Sequence, residues 1–217
     1  MSKIKVRWGA LIMLFVSLVS ERTDIFLLWG LCALLHELGH LFAARIRKIE
    51  IEEIRLDFFG ARICVKEGAG SYFDELLIAA AGPSVNLIIV IAAVLYLQGA
   101  GISPEALADS ITAFFEGERS SVGAVCFFAI CSALQGGINL LPVKTFDGGR
   151  VIYCMTASLL GQRMAEALIG ASTAACVFCL WTVALYLMLK TGAGLGIYVF
   201  CACLFLSTLS DSELIKK

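Results

Sequence analysis

The stretch LCALLHELGHLFAA, Leu31 to Ala44, decides how the rest of this 217-residue chain is read. Leu, Ala and Phe dominate it and Gly39 is its one weak helix former, so its composition predicts a helix. On a helix, His36 and His40 stand four residues apart and project from one face, with Glu37 beside them. This HExxH spacing lets two imidazole nitrogens hold Zn²⁺ at about 2.0–2.1 Å while the glutamate takes a proton from the attacking water. These two are the chain's only histidines, and they interrupt an apolar run of membrane-spanning length. Ionisable groups at such depth are costly, and their usual meaning is function. The competing reading is a structural histidine pair hydrogen-bonded to its neighbours.

Composition bounds the class. The chain is 59% hydrophobic and 16% charged with a mean hydropathy of +0.88, against about 45–50% and 25% for soluble domains. This predicts an integral membrane protein. A net charge of −1 provides no basic stripe for phosphates, so no nucleic-acid partner is expected. The nine cysteines are odd in number and fall mostly in apolar segments, as small packing residues do. Cys176 and Cys179 form a CxxC, but mid-span and without a second pair to complete a zinc site.

Hydropathy predicts an all-α polytopic membrane protein, a single domain over residues 1–217 with six spans at about 8–20, 25–46, 73–98, 121–141, 164–189 and 195–209. The first follows a basic leader without a small-residue cleavage site, which favours a span over a signal peptide. Residues 49–66 alternate apolar and polar side chains and predict a small β-hairpin around Phe59 and Gly60. Pro83 and Gly82 inside the third span permit close approach of a neighbour, and Asn86 one turn later reads either as an interhelical hydrogen bond or as part of a site. Residues 99–120 form a polar connector holding a short amphipathic helix that starts at Pro104 and ends near Glu116. After Pro142 closes the fourth span, residues 142–150 are expected as a re-entrant loop and 151–160 as a short returning helix.

With six spans both termini share a side, and 14 of the 17 Lys and Arg fall on it; Arg22, Arg119 and Lys190 are the exceptions. The positive-inside rule then places both termini, and the HELGH end of the second span, in the cytoplasm of a cell-membrane protein. At 1.5 Å per residue, His40 sits about 8 Å below the Arg45 end, inside the apolar slab but within reach of water. A catalytic zinc usually takes three protein ligands. No third histidine exists, so a carboxylate at that depth on the cytoplasmic side is needed. Asp147 is the best candidate, since Gly148 and Gly149 let the backbone bend close to the metal. An ordinary Asp-Gly turn is the plainer alternative.

HELGH on one span, AGPSVN on the next and NLLPVKTFDGG (Asn139 to Gly149) further on together resemble the site-2 protease (M50) family of intramembrane zinc metalloproteases. The pattern, HExxH with NxxPxxxxDG, covers nearly the whole chain and looks most like the stage IV sporulation protein FB type. The resemblance implies that His36, His40 and Asp147 bind zinc, that Glu37 is the catalytic acid/base, and that Asn139 and Asn86 hold substrate near the metal. It implies a membrane-embedded or membrane-tethered client, such as a pro-protein transcription factor, cut by regulated intramembrane proteolysis, with membrane-protein regulators. Lys144, Thr145 and Phe146 replace the prolines and leucine usual before the Asp, which bears on substrate preference rather than on the metal. No room is expected for a PDZ insertion, and neither the cystathionine-β-synthase (CBS) tail of the sporulation type nor nucleotide control through it is expected.

Two other classes compete. A divalent-metal transporter would spread ligands over several helices and carry a His-rich loop. A non-catalytic membrane scaffold has no use for Glu37.

Overall fold

The computed structural model describes residues 3–6, 23–49, 51–57, 60–65, 70–118 and 120–191. The elements in order are β1 (Lys3–Val6), α1 (Thr23–Ile46), β2 (Ile51–Asp57), β3 (Gly60–Val65), α2 (Tyr72–Gly99), α3 (Pro104–Phe115), α4 (Ser121–Asn139), α5 (Asp147–Leu160) and α6 (Gln162–Thr191). The chain forms two compact units, Met1–Ile138 and Asn139–Lys217.

The protein is mostly helical. Among the described residues, four helices are long and apolar enough to cross a membrane: Thr23–Ile46, Tyr72–Gly99, Ser121–Asn139 and Gln162–Lys190. Their outward surfaces are as greasy as their interiors; Leu27 and Phe42 on α1 are 73% and 68% exposed, and Leu87, Ile88 and Leu95 on α2 are exposed as well. A helix apolar all round is stable where its solvent is lipid. The expected spans at 25–46, 73–98, 121–141 and 164–189 coincide with these helices, whereas those at 8–20 and 195–209 lie outside the described residues.

In the first unit a core of Cys32, Phe114, Phe127 and Cys131 joins α1, α3 and α4, with the Phe114 and Phe127 rings stacked at 5.2 Å. A second cluster of Ala44, Ile49 and Ile78 ties the end of α1 to the start of α2. Ser71 caps α2: its hydroxyl accepts the Asp74 N–H at 3.2 Å while the Asp74 carboxylate accepts the Ser71 N–H at 2.9 Å. This reciprocal pair satisfies two donors that a helix start leaves orphaned. Arg47, just past the end of α1, bonds the same carboxylate, so one aspartate joins two helix ends. Ser103 caps α3, whose Pro104 occupies the first turn, as the spacing predicts.

The alternating segment after α1 forms β2 and β3, antiparallel with Leu56 opposite Ala61. Lys3–Val6 adds to the other edge of β2, in parallel, giving the order β1-β2-β3. Local pattern could not show that strand, because a parallel partner is set by the path of the chain and not by its own four residues.

The second unit corrects one expectation. The stretch after Pro142 is not a loop through residue 150: helix α5 starts at Asp147, four residues before the expected returning helix. Phe146 takes an extended conformation (φ −105°, ψ 163°) as its cap, and a carboxylate in the first turn is favoured by the partial positive charge at the helix N-terminus. Gly161, with φ +86°, turns the chain from α5 into α6.

Candidate metal centre

The two histidines of α1 are buried, His36 at 1% and His40 at 6% exposure, and their Nε2 atoms stand 3.1 Å apart. Two nitrogens each about 2.0–2.1 Å from a tetrahedral zinc are about 3.3 Å apart, so this pair is spaced for one ion. The ring of His40 is held by its other nitrogen, since Nδ1 lies 2.6 Å from the carbonyl oxygen of Ile78 on α2. A carbonyl can only accept, so Nδ1 carries the proton and Nε2 of the neutral ring keeps its lone pair.

The neighbouring turn of α2 contains Pro83, which has no N–H to give to the carbonyl of Ala79 and so loosens the helix there. Beside it Gly82 faces the imidazoles. A methyl group on Gly82 would lie 2.6 Å from Cε1 of His40 and 2.7 Å from Nε2 of His36, closer still to Nε2 of His40. The absent side chain therefore leaves the space in front of both nitrogens open. Gly39 makes the corresponding approach from α1, where a methyl would meet the Ala81 carbonyl at 2.9 Å. Open space, a fixed tautomer and paired nitrogens all fit a zinc ion.

Glu37 is half-buried on the same turn of α1 as the histidines. Asn86 is 1% exposed on α2, one turn beyond Gly82, and lies against α4, where a methyl on Gly136 would be 3.1 Å from its Cβ. The side-chain oxygen and nitrogen of Asn86 have no hydrogen-bond partner, so its reading as an interhelical hydrogen bond fails.

The remaining expected residues belong to the second unit. Asn139 is the half-buried last residue of α4, and Asp147 is half-buried at the first position of α5. The turn before Asp147 is built tightly. The Ser172 hydroxyl donates to the Pro142 carbonyl at 2.9 Å, and the Lys144 N–H donates to the Thr173 hydroxyl at 3.0 Å. Gly148 packs on the Leu140 carbonyl and Gly149 on the Val143 carbonyl so closely that neither position has room for a Cβ. The two glycines thus serve the fold of this turn, a different close approach from the one the sequence predicted. His36 and His40 in the first unit and the Asp147 carboxylate in the second are each of a donor type that zinc takes.

Sequence reasoning found neither the position of Gly82 before the imidazoles nor Gln135, a buried amide on α4. For Gln135 a signal existed, since an amide inside a span is itself a pointer to function. For Gly82 none did beyond its proline neighbour, because a glycine in a span reads first as helix packing.

The sequence model of peptidase family M50 matches residues 25–183. A zinc metalloprotease of Methanocaldococcus jannaschii is 28% identical over 141 residues, which are 63% of this chain and 35% of that protein. A probable chloroplastic zinc metalloprotease of Arabidopsis thaliana is 29% identical over 164 residues, 64% of this chain and 29% of the relative. The chain thus spans about a third of the length of these curated relatives. A solved structure of a site-2 protease from Methanocaldococcus jannaschii is similar in fold, with a TM-score of 0.58 and 22% identity over 95% of this chain and 85% of that one.

Proposed function

The chain belongs to peptidase family M50 and is of the zinc-metalloprotease type, and on that premise we propose that it is an intramembrane endopeptidase cutting a membrane-embedded or membrane-tethered client. The observation that carries this reading is the pair of Nε2 atoms 3.1 Å apart on a helix fit to span a membrane, with Glu37 between them in sequence. His36, His40 and Asp147 are the proposed ligands.

Bound there, zinc supplies Lewis acidity that makes water nucleophilic near neutral pH. Glu37, adjacent in sequence to one ligand and not itself a ligand, accepts the proton of the attacking water and returns it to the leaving amine. The His40 to Ile78 bond keeps one imidazole in the ligating tautomer through the cycle. The amide of Asn139 offers a donor to the developing oxyanion, and that of Asn86 holds the client chain nearby. A helical client hides its carbonyls, so it must unwind locally before it can be cut. Strand β3 pairs with β2 along one edge and has no strand partner on the other among the described residues, which gives the unwound client a template for main-chain pairing.

The finer reading extends to the membrane. Apolar stretches at 8–20 and 195–209 complete six spans with both termini cytoplasmic, supported by the lysine and arginine bias. A sporulation-type role in regulated proteolysis, with a membrane-protein regulator, rests on the motif resemblance.

The test is cleavage by the purified chain of candidate membrane-tethered precursors in liposomes. Peptide-bond cleavage that stops with a chelator, resumes with added zinc and is absent in Glu37→Gln supports the proposal. Cleavage indifferent to both overturns it.

A further inference from the structure

Asn86 is not the only buried amide left incomplete in the first unit. Gln135, on α4, is 7% exposed, and its Oε1 is buried without a hydrogen-bond partner. Uncompensated polar atoms are costly in an apolar interior, and in a lipid-embedded helix no water repairs them. Such groups persist where something outside the fold completes them.

The contacts around Gln135 fix its depth. Cys32 on α1 lies 3.3 Å from the Ser132 hydroxyl on α4, and Gly136 lies against Asn86 of α2. Asn86 is one turn from Gly82, which faces His36 and His40. Because α2 runs antiparallel to α1 through this contact, the step from Gly82 to Asn86 leads from the His40 level back toward that of Cys32 and His36. Gly136 can touch Asn86 only if α4 runs parallel to α1, one turn on from the Ser132 contact. Ser132, Gln135 and Gly136 are related by three and four residues and share one helix face. One turn beyond Cys32 on α1 is His36; the turn that follows Ser132 on α4 holds Gln135, three residues on, and Gly136, four on. The second amide therefore stands at the depth of the first zinc ligand, on the α4 face that meets α1 and α2.

We propose that Gln135 is a substrate-binding residue that, with Asn86, hydrogen-bonds the main chain of an unwound client segment at the level of His36. This rests on the protease reading above. A side-chain amide offers both an acceptor and donors, matching the N–H and C=O that a client exposes once its helix opens. Two amides from two helices grip the peptide backbone, not a particular side chain. The site they form prefers a chain with a break in its helix and tolerates many sequences around it.

The test uses the full chain in lipid nanodiscs and two labelled single-span probes, a poly-leucine peptide with a central Asn-Gly-Pro and an uninterrupted poly-leucine peptide. In the zinc-loaded Glu37→Gln background, Gln135→Met should weaken binding of the interrupted probe about tenfold, a loss of about 1.4 kcal/mol. The uninterrupted probe should bind as before, zinc content should hold, and thermal stability should rise because an incomplete polar group has been replaced by an apolar one of similar length. Unchanged affinity for the interrupted probe overturns the proposal, and so does a fall in stability, which marks a structural amide. Gln135→Leu provides the same comparison should the Met variant fail to fold. The protease reading is judged separately, by cleavage of the interrupted probe with Glu37 intact. Gln135-dependent binding without cleavage sinks that reading and leaves the amide pair standing; cleavage with KM unchanged in Gln135→Met does the reverse.

Discussion

Gly82 of α2 stands before His36 of α1 at such close range that a methyl on its Cα would lie 2.7 Å from the histidine Nε2. The space before that nitrogen, where the proposed metal would meet it, is open because this one residue has no side chain. Gly82→Ala should therefore lower zinc affinity by about 10–100-fold, the range seen when a ligand's immediate support is disturbed. Competition with a chromophoric chelator measures it. Alanine is a good helix former, so the helix itself should survive the change.

Glu37→Gln separates metal binding from proton transfer. The variant should retain its zinc and lose about 10²–10⁴ in cleavage rate, the usual contribution of a positioned acid/base. Metal analysis alongside a cleavage assay reads both, and loss of zinc together with activity would make Glu37 a structural partner of the ligands.

Removing a proposed ligand acts differently. Asp147→Ala should weaken zinc binding and abolish cleavage together, whereas Asn139→Ala should keep zinc and lose about 10²–10³ in rate as an oxyanion donor is withdrawn. Zinc retained at full affinity by Asp147→Ala would exclude it as a ligand.

The turn before Asp147 makes a prediction about folding. At Gly149 an added methyl has no room beside the Val143 carbonyl, which is backbone and cannot swing away. Gly149→Ala should destabilise the protein by about 1–3 kcal/mol, as overpacking does, seen as a lower midpoint of thermal unfolding in detergent.

Helix α3 should respond to acid. The Glu105 carboxylate is held below its ordinary range, chiefly by its own backbone N–H and then by the Ser103 hydroxyl. A carboxylate depressed in the folded state adds stability that is fully present above the unfolded glutamate range and is lost as pH falls through the lower folded value. Amide hydrogen exchange in α3 should accelerate, relative to the other helices, as pH drops through that window. Glu105→Gln should remove the difference.

Much of this was legible along the chain. The helix bearing HELGH, the apolar stretches of the four described candidate spans, the capped α3 and the alternating segment that becomes β2 and β3 all follow from local periodicity and composition, which act within a few residues. The start of α5 was not legible. Asp147-Gly148-Gly149 has the composition of a turn, and it is helical because carbonyls of Leu140 and Val143 pack where side chains would otherwise be. Strand β1 escaped for a similar reason, since its partner lies some fifty residues away.

By itself the sequence determined the chemistry. The chain's only two histidines, at helical spacing around a glutamate in an apolar span, specify which ligand types are available and at what depth. What the tertiary structure alone decided is which other residues share that depth. Gly82 lies against the imidazoles, Ile78 sets the tautomer of His40, and both amide atoms of Asn86 and the Oε1 of Gln135 are buried without hydrogen-bond partners because α1, α2 and α4 pack at one register. Register between helices is a property of interdigitating surfaces, and no single helix encodes it.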